Sequence, residues 1–226
     1  MASVLQVATI KDQGGNANAI EIANSSANVT IGNLTATTAS IPAAAGSSMV
    51  LIKTITTSDG DSAISLINGS NGVVIDSTYT NYKLVISGLV TTADDKDVYI
   101  QIGSSGGADA GNNGGSHYYY DNGSDRGGSN YNINRTYLWN TNYGLHSGKE
   151  EGGLTGIWTF YNVANSSYAT NCTFQVMWFG QNGYFYGGAG ATTTINQYTA
   201  DRILITNEST TFKGGAKISL YGLKDA

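Results

Sequence analysis

Two histidines, one cysteine and a few paired carboxylates are the residues of this chain best equipped for catalysis. His117 sits among Gly, Ser and Tyr, and His146 precedes Ser147, Gly148 and Lys149. A nucleophilic site needs a hydroxyl or thiol held against a base. No nucleophile elbow leading from a strand into a helix marks such a serine. Cys172 alternates with Phe174, Val176 and Trp178, which predicts a small buried apolar residue and not a reactive thiol. Glu150 and Glu151 are adjacent, so on a strand they point to opposite faces and do not make a glycosidase pair. Asp59-Gly-Asp61 and Asp94-Asp95-Lys96-Asp97 offer oxygen ligands, yet neither opens a complete twelve-residue calcium loop. No histidine pair has ligand spacing and no Cys-x-x-Cys occurs. The expectation is a chain with no catalytic residues, no cofactor and no metal.

Aromatic residues give the one positive signal. Tyr118, Tyr119, Tyr120, Tyr131, Tyr137, Trp139 and Tyr143 crowd a stretch rich in Gly, Asn and Ser between Gly103 and Gly153. Tyr184 and Tyr186 follow a second turn, Gly180-Gln-Asn-Gly183. Tyrosine offers a flat apolar face and a hydroxyl at low entropic cost, as in antibody binding loops. The same residues are enriched where subunits meet. Ligand recognition and an oligomer interface are therefore both open for them.

Composition limits the alternatives. Charged residues are only 12 % of the 226, about half the usual share, so the polar surface is made of Asn, Thr, Ser, Gly and Tyr. The net charge is −5 and the basic residues are scattered, which argues against nucleic acid. A single cysteine rules out an internal disulfide. No apolar run approaches the ~20 residues of a membrane helix. The start, Met1-Ala-Ser-Val-Leu-Gln-Val, lacks the pattern of a signal peptide.

The elements that must position these residues read as strands. Thirty glycines and one proline, Pro42, mark many turns. Residues 1–46 contain no aromatic residue and carry short apolar pairs such as Ile20/Ile22 and Val29/Ile31. Strands that narrow bury no core alone, which predicts an extended arm or a stalk formed with identical copies. Residues 47–226 carry about eight strand signals. They are Met49 to Ile55, Ile64 to Leu66 with Val73 to Ile75, Tyr82 to Ile86, Val98 to Ile102, Ile157 to Val163, Cys172 to Trp178, Arg202 to Thr206 and Lys217 to Tyr221. The run from Ile157 reads as buried on both faces. Ser116 to Tyr120 and Tyr137 to Trp139 are expected to pair as strands, and the rest of 103–153 to form excursions at one end. The fold expected is all-β, a jelly-roll-like antiparallel β-sandwich preceded by the arm or short stalk.

Three segments carry a family likeness: Ser77-Thr-Tyr-Thr-Asn-Tyr-Lys-Leu-Val-Ile-Ser-Gly-Leu89, Val98-Tyr-Ile-Gln-Ile102 and Gly214-Gly-Ala-Lys-Ile-Ser-Leu-Tyr-Gly-Leu223. In this order they resemble a C-terminal β-sandwich domain of tailed-bacteriophage structural proteins, especially marine ones, of the tail-fibre or adhesin kind. The opening Val4-Leu-Gln-Val-Ala-Thr-Ile-Lys-Asp12 is similar to the start of many such proteins. The resemblance implies a virion component made in the host cytoplasm and exposed on the particle. It also implies a homo-oligomer, a trimer, and contacts to other virion proteins through the arm at Val4, Val7 and Ile10. A tail-fibre role would direct the aromatic residues to a host-surface glycan or protein. A capsid decoration protein is the alternative, and a polysaccharide depolymerase a distant third.

Overall fold

Apolar and polar residues alternate along most of the chain from Met49 onward, and in the computed structural model these alternations are strands. The structure describes residues 49–104, 107–108, 113–121, 126–135, 139–141, 144–148, 152–194, 197 and 199–224, with the backbone alone over 107–140. The strands are β1 (Met49–Thr56), β2 (Ala63–Ile67), β3 (Asn81–Leu89), β4 (Val98–Ser104), β5 (Gly107–Ala108), β6 (Asn113–Asp121) and β7 (Arg126–Arg135). There follow β8 (Trp139–Asn140), β9 (Leu154–Tyr161), β10 (Asn171–Phe179), β11 (Phe185–Thr194), β12 (Arg202–Asn207) and β13 (Lys217–Leu223). No helix occurs among the described residues.

The fold is all-β, with two antiparallel sheets. The larger runs β1-β13-β3-β9-β10-β11-β6-β7, and the smaller runs β2-β12-β4-β5, with β8 also paired to β4. Inward residues of both sheets form one core. The larger sheet supplies Tyr82, Leu84, Ile86, Trp158, Phe160, Phe174, Ile218 and Leu220. Leu66, Ile100, Ile102, Ile203 and Ile205 come from the smaller. Fully burying one such side chain is worth about 1.5–3 kcal/mol, so the alternation itself dictates register. A one-residue slip of β13 would move Ile218 and Leu220 into water and Lys217 into the core.

Close packing shows at two glycines. A Cβ on Gly156 would come within 2.7 Å of Val176 Cγ1, and one on Gly222 within 2.4 Å of the Tyr79 ring. Tyr82 is locked from the other side. Its hydroxyl donates to Asp76 O at 2.6 Å and accepts from Asp76 N at 2.8 Å. Burial pushes its pKa up to about 12.

Three expectations need correction, and one strand was not anticipated. β9 is buried on one face only, because Trp158 and Phe160 point inward while Ile157, Thr159 and Tyr161 reach the outer surface. Val73 to Ile75 is no strand, although Val73 and Ile75 are buried. Its backbone is held by a loop instead, with Gly69 N donating to Val73 O and Ile75 N to Asn68 Oδ1. The stretch expected as excursions contains the long strand β7, which pairs with β6, and the two extend the larger sheet beyond β11. An open sheet edge templates further strands even for Gly- and Asn-rich sequence. Finally, Gly187-Gly-Ala-Gly-Ala191 lies within β11, whose partner β10 pairs with it along nine residues. Ser116 to Tyr120 falls in β6 as expected, and Trp139 in β8. The expected arm over 1–46, with Val4, Val7 and Ile10, lies outside the described residues.

Candidate functional site

The aromatic candidates separate into three groups. Tyr118, Tyr119 and Tyr120 belong to β6 and Tyr131 to β7, so they sit on paired strands and not on loops. Tyr137 and Tyr143 lie outside the described residues. At the second turn, Tyr184 and Phe185 are each 49 % exposed. Gly180 N donates to Tyr184 O at 2.8 Å and Tyr184 N to Asn182 Oδ1 at 3.3 Å, which fixes the turn tip. Tyr186 differs from expectation. It is 1 % exposed and stacks on Trp178, with ring centroids 5.3 Å apart and planes 15° from parallel. Its hydroxyl accepts from Asn182 Nδ2 at 2.6 Å. Alternation in β11 turns Phe185 outward and Tyr186 inward, so Tyr186 braces the turn from the core and is not open to a partner.

The polar candidates hold loops. His146 Nδ1 accepts from Gly148 N at 3.0 Å, which leaves it 4.0 Å from Asp94 Oδ1. A ring nitrogen that accepts a hydrogen bond carries no proton. Asp94 Oδ1 instead accepts from Ser147 N at 2.6 Å, and this bond holds its carboxyl below the usual range. Lys213 Nζ donates to Ser147 O. Beneath them Leu145 is fully buried and bridges Lys96 on one side and Gly180 on the other. The arrangement closes one end of the core.

Asp59 Oδ1 accepts from Gly214 N at 2.7 Å and Asp61 Oδ2 from Ser58 N at 2.8 Å. Asp97 Oδ1 accepts from Thr141 Oγ1 at 2.8 Å. No group of metal-ligating side chains forms among the described residues. Cys172 is buried, and burial pushes its thiol up, so it stays protonated. His117 lies in β6, and Glu150 and Glu151 lie outside the described residues.

Sequence reasoning missed the outer face of the larger sheet. Register places Leu51, Tyr221, Lys83, Thr159, Thr173 and Ala191 in one row across six strands. The next row reads Ser219, Val85, Ile157, Gln175 and Ala189. Small residues on β11 leave two shallow depressions, of about 410 Å³ and about 610 Å³, that share Ile157, Gln175 and Ala189. Lys83 lines the first and Met177 the second. Ile157 is 40 % and Met177 45 % exposed. The outward parity of Lys83, Thr173 and Lys217 was readable from alternation. Thr159 was hidden because its strand read as buried on both faces.

A scan of protein-family models and searches of curated proteins and of solved structures return no match. What defines the chain is its own architecture, an all-β fold of two antiparallel sheets.

Proposed function

We propose that this chain is a non-enzymatic structural protein of a tailed-phage virion, a tail-fibre or adhesin-like component built on a jelly-roll-like sandwich. The observation that carries the reading is strand order. Take β1, β2, β3, β4, β8, β9, β12 and β13 as eight successive strands. The larger sheet then runs first, eighth, third, sixth, and the smaller second, seventh, fourth, fifth. That pairing matches a double Greek key, an architecture used in viral capsid and lectin domains. On this reading β5 to β7 are an insertion between the fourth and fifth strands, and the β10–β11 hairpin one between the sixth and seventh.

Fold alone does not give function, so the sequence resemblance supplies the virion context. The segments that carry it fall largely on β3, β4 and β13. Copies would associate as trimers, tied to neighbouring virion proteins by Val4, Val7 and Ile10. Aromatic residues of the insertion and of the Tyr184 turn would meet the host surface, each weak contact multiplied by valency.

The test is antibody labelling of intact particles against residues 113–135, viewed by electron microscopy. Label at the tail or its fibre tips is expected. Label spread over the head would replace the fibre reading by capsid decoration, and particles lacking the protein by mass spectrometry would overturn both.

A further inference from the structure

The outer face of the larger sheet has a charge pattern that its architecture does not require. Strands β1, β3, β9, β10, β11 and β13 contain no Asp or Glu at all. The described acidic side chains, from Asp59 to Glu208, all stand in the connections. In a chain of net charge −5, this face carries two cations among the described side chains, Lys83 and Lys217. The Lys217 ammonium donates to Thr56 Oγ1 at 2.6 Å. Lys83 is half-buried and has no hydrogen-bond or ion-pair partner among the described residues. An ammonium without a counter-charge gains from a charge-assisted hydrogen bond to an incoming anion.

The surroundings of Lys83 narrow the anion. Its register partners are Tyr221 on one side and Thr159 on the other, with Thr173 one strand further. Tyr161 Oη lies 3.4 Å from Thr173 Oγ1. Ile157 and Ala189 floor the adjoining depression. Hydroxyls, an aromatic face and small apolar patches suit the alternating O–H and C–H surfaces of a sugar ring. Lys217 stands one strand over and four residues along, roughly 14 Å from Lys83 by strand geometry. Two cations at that separation match an extended chain with repeated carboxylates better than a single small anion. Two lysines are too few for the clustered phosphate contacts of nucleic acid.

We propose that this face binds an acidic polysaccharide, with Lys83 on a sugar carboxylate, Thr159 and Thr173 on ring hydroxyls, and Tyr221 against a ring face. The inference does not depend on the virion reading. It uses different residues from the aromatic insertion.

The test is affinity electrophoresis and calorimetry of the full chain with two forms of one polymer, polygalacturonate and its methyl ester. The acidic form is expected to bind, and the neutral ester not to. Lys83→Met, which keeps the stem and removes the charge, should weaken binding about tenfold or more, the scale of one charge-assisted hydrogen bond. Lys217→Met should weaken it less, and Tyr184→Ala not at all. Added salt should weaken binding in the wild type and have less effect in Lys83→Met. Equal binding of ester and acid, unchanged affinity in Lys83→Met with its melting temperature intact, or no binding of either polymer would overturn the proposal. So would ultracentrifugation showing an oligomer that Ile157→Asp disperses, since a second copy would then cover the face.

Discussion

Trp158 and Thr159 are neighbours on one strand, yet they live in different chemistry. The inner face of β9 and β10 presents Trp158, Phe160, Phe174 and Trp178, nearly or fully excluded from water and packed with the aliphatics of the smaller sheet. The outer face of the same two strands presents Thr159, Thr173, Gln175, Ile157 and Met177. Both faces share every backbone hydrogen bond. The difference therefore lies in side chains alone, with stability concentrated inside and recognition chemistry left outside. A sheet with one covered and one open face can vary its outer residues at little cost to the fold.

The largest test of that contrast is Trp158→Ala beside Thr159→Ala. Loss of the indole should cost about 3–5 kcal/mol, from lost transfer energy and a cavity. Thr159→Ala should stay within about 0.5 kcal/mol. Chemical denaturation reads both, and similar costs at the two positions would erase the distinction between faces. A smaller effect is expected at Gly222→Ala, whose new methyl meets the Tyr79 ring. Overpacking of this kind costs about 1–3 kcal/mol, measured by the same denaturation.

Tyr82→Phe comes next, with a loss of about 1–2 kcal/mol, because it leaves the Asp76 amide and carbonyl without their partner. It also carries a pH signature. The Tyr82 pKa rises from 10.0 to about 12 in the fold, so the unfolded chain gives up this proton first. Its contribution is intact below pH 10 and is lost as pH climbs towards about 12. The wild type should lose stability over that range more steeply than Tyr82→Phe, and parallel curves would refute the assignment. The smallest effect belongs to Asp94→Asn. The Asp94 pKa is lowered in the fold, so the bond to Ser147 N stabilises above the carboxyl's ordinary range and is lost as pH falls through the lowered value. The protection factor of the Ser147 amide against hydrogen exchange should fall in acid in the wild type and already be low at neutral pH in the variant.

Much of the fold was legible because burial leaves a period-two trace. In the last strand Ile218 and Leu220 are buried, with Lys217, Ser219 and Tyr221 turned outward, as alternation predicts. β11 left no such trace. Gly187 to Ala191 have little β-propensity, and only pairing with β10 makes them a strand. β7 was obscured in the same way, by Gly and Asn that read as loop, whereas the centre of β6 was expected as a strand. At the candidate sites, sequence marked the turn before Tyr184 and grouped Tyr186 with it, although Tyr186 is buried. It left Lys83, Thr173 and Tyr221 in three separate strands, with nothing to say that they are neighbours.

By itself, then, the sequence determined the all-β class, the inward residues of most strands, the low charge and the absence of acidic residues from six of them. These are local properties, carried by composition and by the alternation of each segment. Only tertiary structure decided that β13 lies between β1 and β3, that β9 and β10 follow, and that Tyr221, Lys83, Thr159 and Thr173 share one row. Strand order joins residues more than a hundred positions apart, and no period in a single segment encodes which distant edge will supply its hydrogen bonds.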